Sequence, residues 1–318
     1  MRQGARLNRV AVGIPGALFC MLFLVGACAM GCIHQEPHND SRLNVAVTVL
    51  PQAEIAREIG GERVCVTVVV PPGVEPHTYE PATSQLLELS RSDMYLRIGP
   101  GLLPFEDNLL ERVRELNPKI QIVDTSAGVL LIHGDDPWAG DDSVDPDHHG
   151  TDPHIWLAPS NLRIMAANIE AGLSMADPSH REEYARGKDS YLAKVNTTDA
   201  AIKAMFSEME GRSFIVYHPA WGYFAREYNL EQVAVEDGGT EPGIRHLTTL
   251  VEFAREKGLM VVFADPQHST RESGVIAEEI NGAVVLLDPL APDVLENIRD
   301  VAAEIARSYR SASRGVAP

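Results

Sequence analysis

Short apolar runs rich in β-branched residues alternate along the chain with longer segments of helical periodicity. Four runs fall in each half of the pattern: residues 43–50, 63–70, 94–98 and 120–123, then 213–217, 232–235, 259–264 and 283–287. Near-continuous apolar runs are typical of strands buried on both faces of a parallel sheet. Helical segments lie between them, at residues 52–59, 84–90, 105–116, 245–257 and 271–280. This alternation predicts an α/β fold with two β/α lobes, each with a mostly parallel four-stranded sheet.

The segment between the two groups of strands, residues 178–210, has the signals of one long helix. It follows Asp177 and opens with Pro178 and Ser179, and Glu182 forms a capping-box pair with Ser179. Apolar residues then recur at spacings of three, four and seven: Tyr184, Tyr191, Leu192, Val195, Ile202, Met205, Phe206 and Met209. One helix of about 30 residues would span about 45 Å and could brace both lobes. Two shorter helices with a break at the Asn-Thr-Thr sequence are the alternative.

The start of the chain has a different pattern. Three arginines precede an apolar stretch over residues 10–25, which is too short for a membrane span and predicts a cleaved signal peptide over residues 1–27. The stretch ends in Val-Gly-Ala-Cys at Cys28, which resembles the lipobox of bacterial lipoproteins, with Cys32 as a second candidate for the lipid anchor. An ordinary cleaved signal peptide is the alternative. The remaining boundaries follow: a tether (28–42), an amino-terminal lobe (43–177), a linking helix (178–210), a carboxyl-terminal lobe (211–310) and a tail (311–318).

Composition narrows the possible functions. The 318 residues carry 27 basic and 45 acidic side chains, for a net charge of −18, and this sign excludes broad nucleic-acid binding. Of the four cysteines only Cys65 lies beyond residue 32, so a disulfide scaffold and a cysteine-based zinc site are also excluded. Cys65 lies in a valine-rich run and is expected to be buried in the core.

A long polar loop over residues 133–153 interrupts the amino-terminal lobe. It holds seven aspartates and three histidines, with no lysine or arginine. A loop of this length in a compact domain is usually functional or disordered. His148 and His149 are candidates for accessory metal binding, and a solvated acidic loop is the alternative.

Three histidines and one aspartate lie where predicted strands or helices meet loops. His77 follows the second strand, His154 comes shortly before a helix for which Ser160 is the expected cap, and His218 follows the fifth strand. Ligands gather outside the carboxyl ends of strands in open α/β sheets, so two side chains from each lobe could meet in a cleft. With Asp288, after the last strand, they would make a site of three nitrogens and one oxygen suited to zinc. Spacing alone leaves capping or surface roles open for each of them.

Four motifs occur in order around these residues. They are Pro-Gly-Val-Glu-Pro-His-Thr-Tyr-Glu-Pro, Asp-Pro-His-Ile-Trp-Leu-Ala-Pro, Tyr-His-Pro-Ala-Trp-Gly-Tyr-Phe and Leu-Asp-Pro-Leu. Together they resemble the motifs of the substrate-binding proteins of zinc and manganese ABC transporters, over about residues 43–308. The resemblance implies two β/α lobes joined by a long helix and holding one metal ion. It also implies the ligands, at the positions of His77, His154, His218 and Asp288.

The resemblance implies a function as well. The chain would capture Zn²⁺ outside the cytoplasm, in the periplasm or cell envelope, and deliver it to the permease of an ABC transporter. We expect a monomer without catalytic activity, anchored to the membrane by its lipid. Manganese-selective relatives tend to place a glutamate where this chain has His218, which favours Zn²⁺ over Mn²⁺ here. A manganese- or iron-binding member of the same family is the alternative.

The chain departs from the family pattern at two points. Some zinc-binding members carry a glutamate directly before the first histidine, where this chain has Pro76, and this favours Asp288 as the fourth ligand. Many members also have a disulfide in the second lobe, but this chain has no cysteine after Cys65.

His268 follows a strand of the second lobe and is a further candidate for accessory metal binding.

The sequence also bears on two other classes of function. A secreted zinc hydrolase would use three histidines and an open coordination position, but the chain has no HExxH or GxSxG motif. A fourth protein ligand would also close such a site to water. An adhesin is a role ascribed to some members of the family, and no residue argues for or against it.

Overall fold

The computed structural model describes residues 42–133, 150–207, 209, 211–236, 240 and 242–312. The predictions for the signal peptide, for Cys28 and Cys32, and for His148 and His149 concern residues outside these ranges. Within the described ranges, no helix has both the length and the apolar character needed to cross a membrane.

The amino-terminal lobe is built on four parallel strands in the spatial order β2-β1-β3-β4. The strands are β1 (Leu43–Val47), β2 (Val64–Val68), β3 (Met94–Arg97) and β4 (Gln121–Asp124). The helices are α1 (Leu50–Gly60), α2 (Thr83–Leu89), α3 (Pro104–Leu116) and α4 (Pro159–Ala176). Cys65 is only partly buried, not buried as expected, because it lies on β2 at the edge of the sheet.

A single long helix, α5 (Arg181–Phe206), joins the lobes, as the apolar spacing predicts. It has 26 residues, is about 39 Å long at 1.5 Å per residue, and runs without a break through its Asn-Thr-Thr sequence. Its start differs from the prediction because a 3₁₀ turn, Pro178–His180, comes first and the Ser179 hydroxyl donates to Asp177. The helix packs against α1, against α4 and against the carboxyl-terminal helix of the described chain.

The carboxyl-terminal lobe repeats the arrangement, with parallel strands in the order β6-β5-β7-β8. The strands are β5 (Ser213–Val216), β6 (Glu231–Ala234), β7 (Val261–Ala264) and β8 (Ala283–Leu286). The helices are α6 (Gly222–Glu227), α7 (Ile244–Lys257), α8 (Arg271–Glu279) and α9 (Val294–Ala312). The predicted fold class, with two lobes and two four-stranded sheets, is confirmed.

The two faces of the second sheet contact different cores. Phe214 and Val216 of β5 belong to the large core shared with the amino-terminal lobe, whereas Ile215 between them belongs to a smaller cluster with residues of α7 and α8. Successive side chains of a strand point to opposite faces, so one strand serves both cores. The shared core makes the two lobes one packed body over the residues that the structure describes.

Gly187 lies where the linking helix meets the end of α1. A Cβ atom there would be 2.4 Å from the carbonyl oxygen of Ile59. We expect Gly187→Ala to lower the free energy of unfolding by about 1–2 kcal/mol, because overpacking against backbone outweighs the better helix propensity of alanine. Urea denaturation measures this change. Gly274→Ala is the matched control, since a Cβ there meets no atom within 4 Å and should stabilise by up to about 1 kcal/mol. Stabilisation by both changes would contradict the close helix contact.

Candidate metal centre

Three of the predicted site residues meet between the lobes. His77 lies in the loop between β2 and α2, His154 directly precedes the 3₁₀ turn Ile155–Leu157, and His218 lies two residues beyond β5. The Nε2 atom of His154 is 3.4 Å from that of His77 and 3.3 Å from that of His218. One nitrogen from each ring lies within 4.8 Å of the other two, so the three imidazoles face a common point.

These separations match the geometry of a zinc site. Zinc bound to imidazole nitrogens at about 2.0–2.1 Å in a tetrahedral arrangement places those nitrogens about 3.3–3.4 Å apart. The separations of His154 Nε2 from the other two Nε2 atoms, 3.4 and 3.3 Å, have the length of such tetrahedron edges. Two of the three nitrogen pairs therefore already have the separation that zinc requires, and the third pair lies within 4.8 Å.

Carboxylates fix the orientation of two of the rings. The Nδ1 atom of His154 is 2.8 Å from Asp152 Oδ1, and that of His218 is 2.6 Å from Glu236 Oε2. Each Nδ1–H donates to a carboxylate oxygen, so both Nε2 atoms carry lone pairs directed at the same point. Two lone pairs cannot form a hydrogen bond with each other, but both can bind one cation.

The electrostatics of the triad favour neutral imidazole. Burial holds the pKa of His154 well below its usual range, and the positive charge of His218 in its protonated form lowers that pKa further. The pKa of His77 is lowered by burial and then by His154 and His218. Because metal binds the neutral form of imidazole, these shifts keep the ligands ready for a cation at neutral pH.

The carboxyl-terminal lobe contacts the aspartate that orients His154. The Tyr223 hydroxyl donates to the carbonyl oxygen of Asp152 over 2.8 Å. A Cβ atom at Gly222 would lie 2.8 Å from Asp152 Oδ2, so the glycine leaves room for that side chain. Burial raises the pKa of Asp152 to about 7, and a cation on the adjoining imidazole would stabilise its ionised form. Gly222 and Tyr223, which follow His218, thus help to position the aspartate that orients His154 in the other lobe.

Asp288 lies at the expected sheet edge, beyond β8, but its carboxylate is engaged elsewhere. Its Oδ1 accepts hydrogen bonds from Gln267 Nε2 over 2.8 Å and from the backbone N–H of Leu290 over 2.9 Å. Among the described residues, the groups whose ligand atoms converge do not include Asp288. The structure brings together His77, His154 and His218, and it leaves Asp288 outside their group.

The segment after Asp288 is tied to the amino-terminal lobe at two points. Trp156 Nε1 donates to the carbonyl oxygen of Pro289 over 2.7 Å in a buried hydrogen bond. The Glu54 carboxylate of α1 accepts a hydrogen bond from the backbone N–H of Val294, the first residue of α9. Acidic groups at the start of a helix satisfy its free N–H groups. These contacts set the position of the Asp288 segment relative to His154.

His268 lies against the triad without belonging to it. Its ring stacks on that of His218, with centroids 5.0 Å apart and 21° between the planes. Its Nδ1 is 2.5 Å from Asp265 Oδ1, and this hydrogen bond is the main cause of a raised pKa of His268. His218, Glu236 and His268 form a second group of converging ligand atoms. Glu236 is not among the residues predicted from sequence, although it follows β6 just as Asp288 follows β8.

Ser160 does not cap the helix after His154. Helix α4 begins at Pro159, with Ala158 at its N-cap. The backbone N–H and the hydroxyl of Ser160 both bond to the Glu227 carboxylate of the other lobe, the hydroxyl over 2.7 Å. A carboxylate from the other lobe therefore accepts the hydrogen bonds at the start of this helix, and the predicted local cap is wrong.

Comparisons with known proteins agree with this architecture. Residues 45–308 match the family described as "Zinc-uptake complex component A periplasmic", ZnuA. A crystal structure of a ZnuA protein superposes with a TM-score of 0.77 at 36% identity, over 84% of this chain and 99% of the other.

Two curated relatives are similar along most of this chain. The high-affinity zinc uptake system protein ZnuA of Bacillus subtilis is 26% identical over 85% of this chain and 88% of its own length. The zinc-binding lipoprotein AdcA of Streptococcus pneumoniae is 26% identical over 86% of this chain, which spans only 54% of that protein. The family match covers most of the sequence, and the chain belongs to the ZnuA family.

Proposed function

We propose that this chain is the zinc-binding component of an ABC uptake system, which captures Zn²⁺ outside the cytoplasm and delivers it to a membrane permease. The observation that carries the proposal is the convergence of the three Nε2 atoms at separations of 3.3 and 3.4 Å, which suit tetrahedral zinc. Membership of the ZnuA family supports the transport role.

The proposed ligands are His77, His154, His218 and Asp288. Oδ1 of Asp288 already accepts two hydrogen bonds, so its Oδ2 is the oxygen best placed to turn toward a captured ion. A carboxylate would complete a tetrahedral set with three imidazoles. In this proposal the lobes of residues 43–177 and 211–310 hold the ion between them, and helix α5 keeps their separation fixed.

A capture site differs from a catalytic one in its coordination. A catalytic zinc keeps one position for water, whereas four protein ligands close the ion to water. The proposed set of three imidazoles and Asp288 therefore favours transport over hydrolysis. Binding of Mn²⁺ or iron, as in other members of the family, is the alternative. Adhesion would be a function separate from metal capture.

The envelope location is also a proposal. A signal peptide over residues 1–27 would direct export, and lipid on Cys28, or on Cys32, would anchor the chain through a tether at residues 28–42. His148 and His149 would add weak metal binding. Cell fractionation of Cys28→Ala and Cys32→Ala variants would test the anchor.

A deletion strain tests the function directly. We expect cells that lack this protein to grow poorly when zinc is scarce and to recover when zinc is added, whereas added manganese should not restore growth. Metal analysis of the purified chain should find one tightly held zinc ion. Recovery with manganese alone would overturn the zinc assignment, whatever the affinities measured in solution.

A further inference from the structure

Helix α6 of the carboxyl-terminal lobe contacts the chain on both sides of His154. Its second residue, Tyr223, donates a hydrogen bond to the carbonyl oxygen of Asp152 over 2.8 Å. Its last residue, Glu227, accepts the backbone N–H of Ser160 over 3.0 Å and the Ser160 hydroxyl over 2.7 Å. The residues from Asp152 to Ser160, the His154 segment, belong to the amino-terminal lobe. One helix therefore holds the His154 segment at both of its ends from across the cleft.

The same helix is fixed to the chain around His218. It begins four residues after this histidine, and the Ala220 N–H closes the turn between them with a hydrogen bond to the carbonyl oxygen of His218 over 2.8 Å. Trp221, at the N-cap of the helix, donates its backbone N–H to the Gln232 side chain of β6 over 2.6 Å. The position of His218 is therefore connected to that of His154 through one short helix.

The contact between Glu227 and Ser160, which we call the clamp, is charge-assisted. The Glu227 side chain is only 12% exposed, and its carboxylate lies at the first turn of α4, where free N–H groups favour negative charge. Hydrogen bonds to ionised groups are about twice as strong as neutral ones. Arg163 of α4 lies 3.9 Å from the same carboxylate and adds a positive charge to the clamp.

Asp199 of the linking helix contacts both sides of the clamp. Arg163 donates to its Oδ2 over 2.7 Å, and the hydroxyl of Tyr228, the residue after Glu227, donates to its Oδ1 over 3.2 Å. Burial raises the pKa of Asp199, but hydrogen bonds from Arg163 and Lys203 outweigh burial and lower that pKa below its usual range. The charged Asp199 therefore ties α4 and the end of α6 to the linking helix.

We propose that Glu227 is a positioning residue for metal capture, which keeps His154 and His218 at the separation that one ion requires. The inference rests on the proposed function and deepens it, because it names a residue outside the metal centre that sets the geometry of the centre. The Nε2 atoms of the two rings are 3.3 Å apart although they come from different lobes. Without the clamp, the His154 segment would be held by α6 at one end only, and the two rings would lose their fixed separation.

The rate of zinc loss from the full chain tests this role. Most changes in affinity within one binding site act on dissociation, so zinc-loaded protein is mixed with an excess of a chromophoric chelator and the release is followed. We expect Glu227→Ala to speed release and to lower the zinc affinity by about 3- to 30-fold, the usual size for residues that do not touch the ligand. Ser160→Ala should have a smaller effect, because its backbone N–H still bonds to Glu227.

A conservative variant and a spectroscopic probe separate positioning from stability. Glu227→Gln should keep most of the parent behaviour, since one amide oxygen can accept both hydrogen bonds that Ser160 donates to Oε2. The visible absorption of bound Co²⁺ depends on the coordination geometry. Glu227→Ala should therefore change the Co²⁺ spectrum, and Glu227→Gln should leave it as in the parent chain.

Gly187→Ala is the matched control for stability, because its expected destabilisation arises where α5 meets α1 and does not involve α6. It should leave zinc release and the Co²⁺ spectrum unchanged. Release from Glu227→Ala at the parent rate would overturn the positioning role, as would equally fast release from Gly187→Ala, since the effect would then follow stability alone. If Glu227→Ala does not fold, Ser160→Ala decides the question by the same comparison. A parent chain without tight zinc would instead refute the proposed function.

Discussion

Replacing His154 by alanine is expected to abolish tight zinc binding. Its Nε2 lies at a tetrahedron-edge distance from both other Nε2 atoms, 3.4 Å from that of His77 and 3.3 Å from that of His218. The residue is 5% exposed, so water enters the vacated position poorly and the remaining ligands lose their shared geometry. We expect the zinc affinity to fall by more than about 100-fold, beyond the 10–100-fold cost of losing an orienting group. Competition with a chromophoric chelator measures the change.

A graded comparison separates a ligand from the residue that orients it. Asp152→Asn keeps an oxygen for the His154 Nδ1–H but removes the charge, so the affinity should fall by about 10–100-fold, less than in His154→Ala. His180→Ala, outside the cleft, should bind zinc as the parent chain does. An affinity for His154→Ala equal to that of the parent chain would show that the triad is not the binding site.

The strands and the linking helix could be predicted because each one carries its own local signal. Strands buried on both faces must be apolar at nearly every position, and the eight apolar runs accordingly overlap the eight strands. The linking helix likewise presents a regular apolar stripe, with Tyr184, Tyr191, Val195 and Ile202 buried. The ends of the helices are not determined by apolar spacing. The 3₁₀ turn before α5 and the start of α4 depend on hydrogen bonds that spacing does not reveal.

The rule that ligands collect at the carboxyl ends of parallel strands makes these histidines candidates, and the resemblance to a metal-binding family assigns them as ligands. The groups that orient the triad had no such signal, because they come together only in the folded chain. Glu236 is 18 residues from its partner His218, and Glu75 approaches His268 from the other lobe. The cap of α9 by Glu54 spans 240 residues and has no local sequence signature. Tertiary packing therefore decides the electrostatics of the site, and the sequence pattern decides its location.

The same contacts link metal capture to the position of the lobes. Trp156, two residues after His154, holds the carbonyl oxygen of Pro289, one residue after Asp288. Tyr223, five residues after His218, holds the carbonyl oxygen of Asp152. Each lobe thus supports residues next to the other lobe's proposed ligands. An ion bound by all four ligands would tighten contacts that already cross between the lobes.

Replacing His218 by glutamate is expected to narrow the preference for zinc over manganese. Mn²⁺ is a harder ion that prefers oxygen ligands, whereas imidazole suits zinc, and the Irving–Williams order places zinc above manganese for a given site. The parent set of three nitrogens and Asp288 would become two nitrogens and two carboxylates. The zinc affinity should fall by more than about 10-fold, and the manganese affinity should fall less or rise.

Competition titrations of both ions against the parent chain and His218→Glu measure this change in selectivity. The glutamate would also face Glu236, which lies 2.6 Å from the histidine it replaces, so the variant needs its own check of folding. Repulsion between the two carboxylates should lower the stability of the metal-free variant, and a bound dication should restore that stability. The rise in melting temperature on metal binding is therefore a second readout. Manganese should then protect the variant more than it protects the parent chain. An unchanged ratio of zinc to manganese affinity in a folded variant would show that His218 does not set the choice of metal.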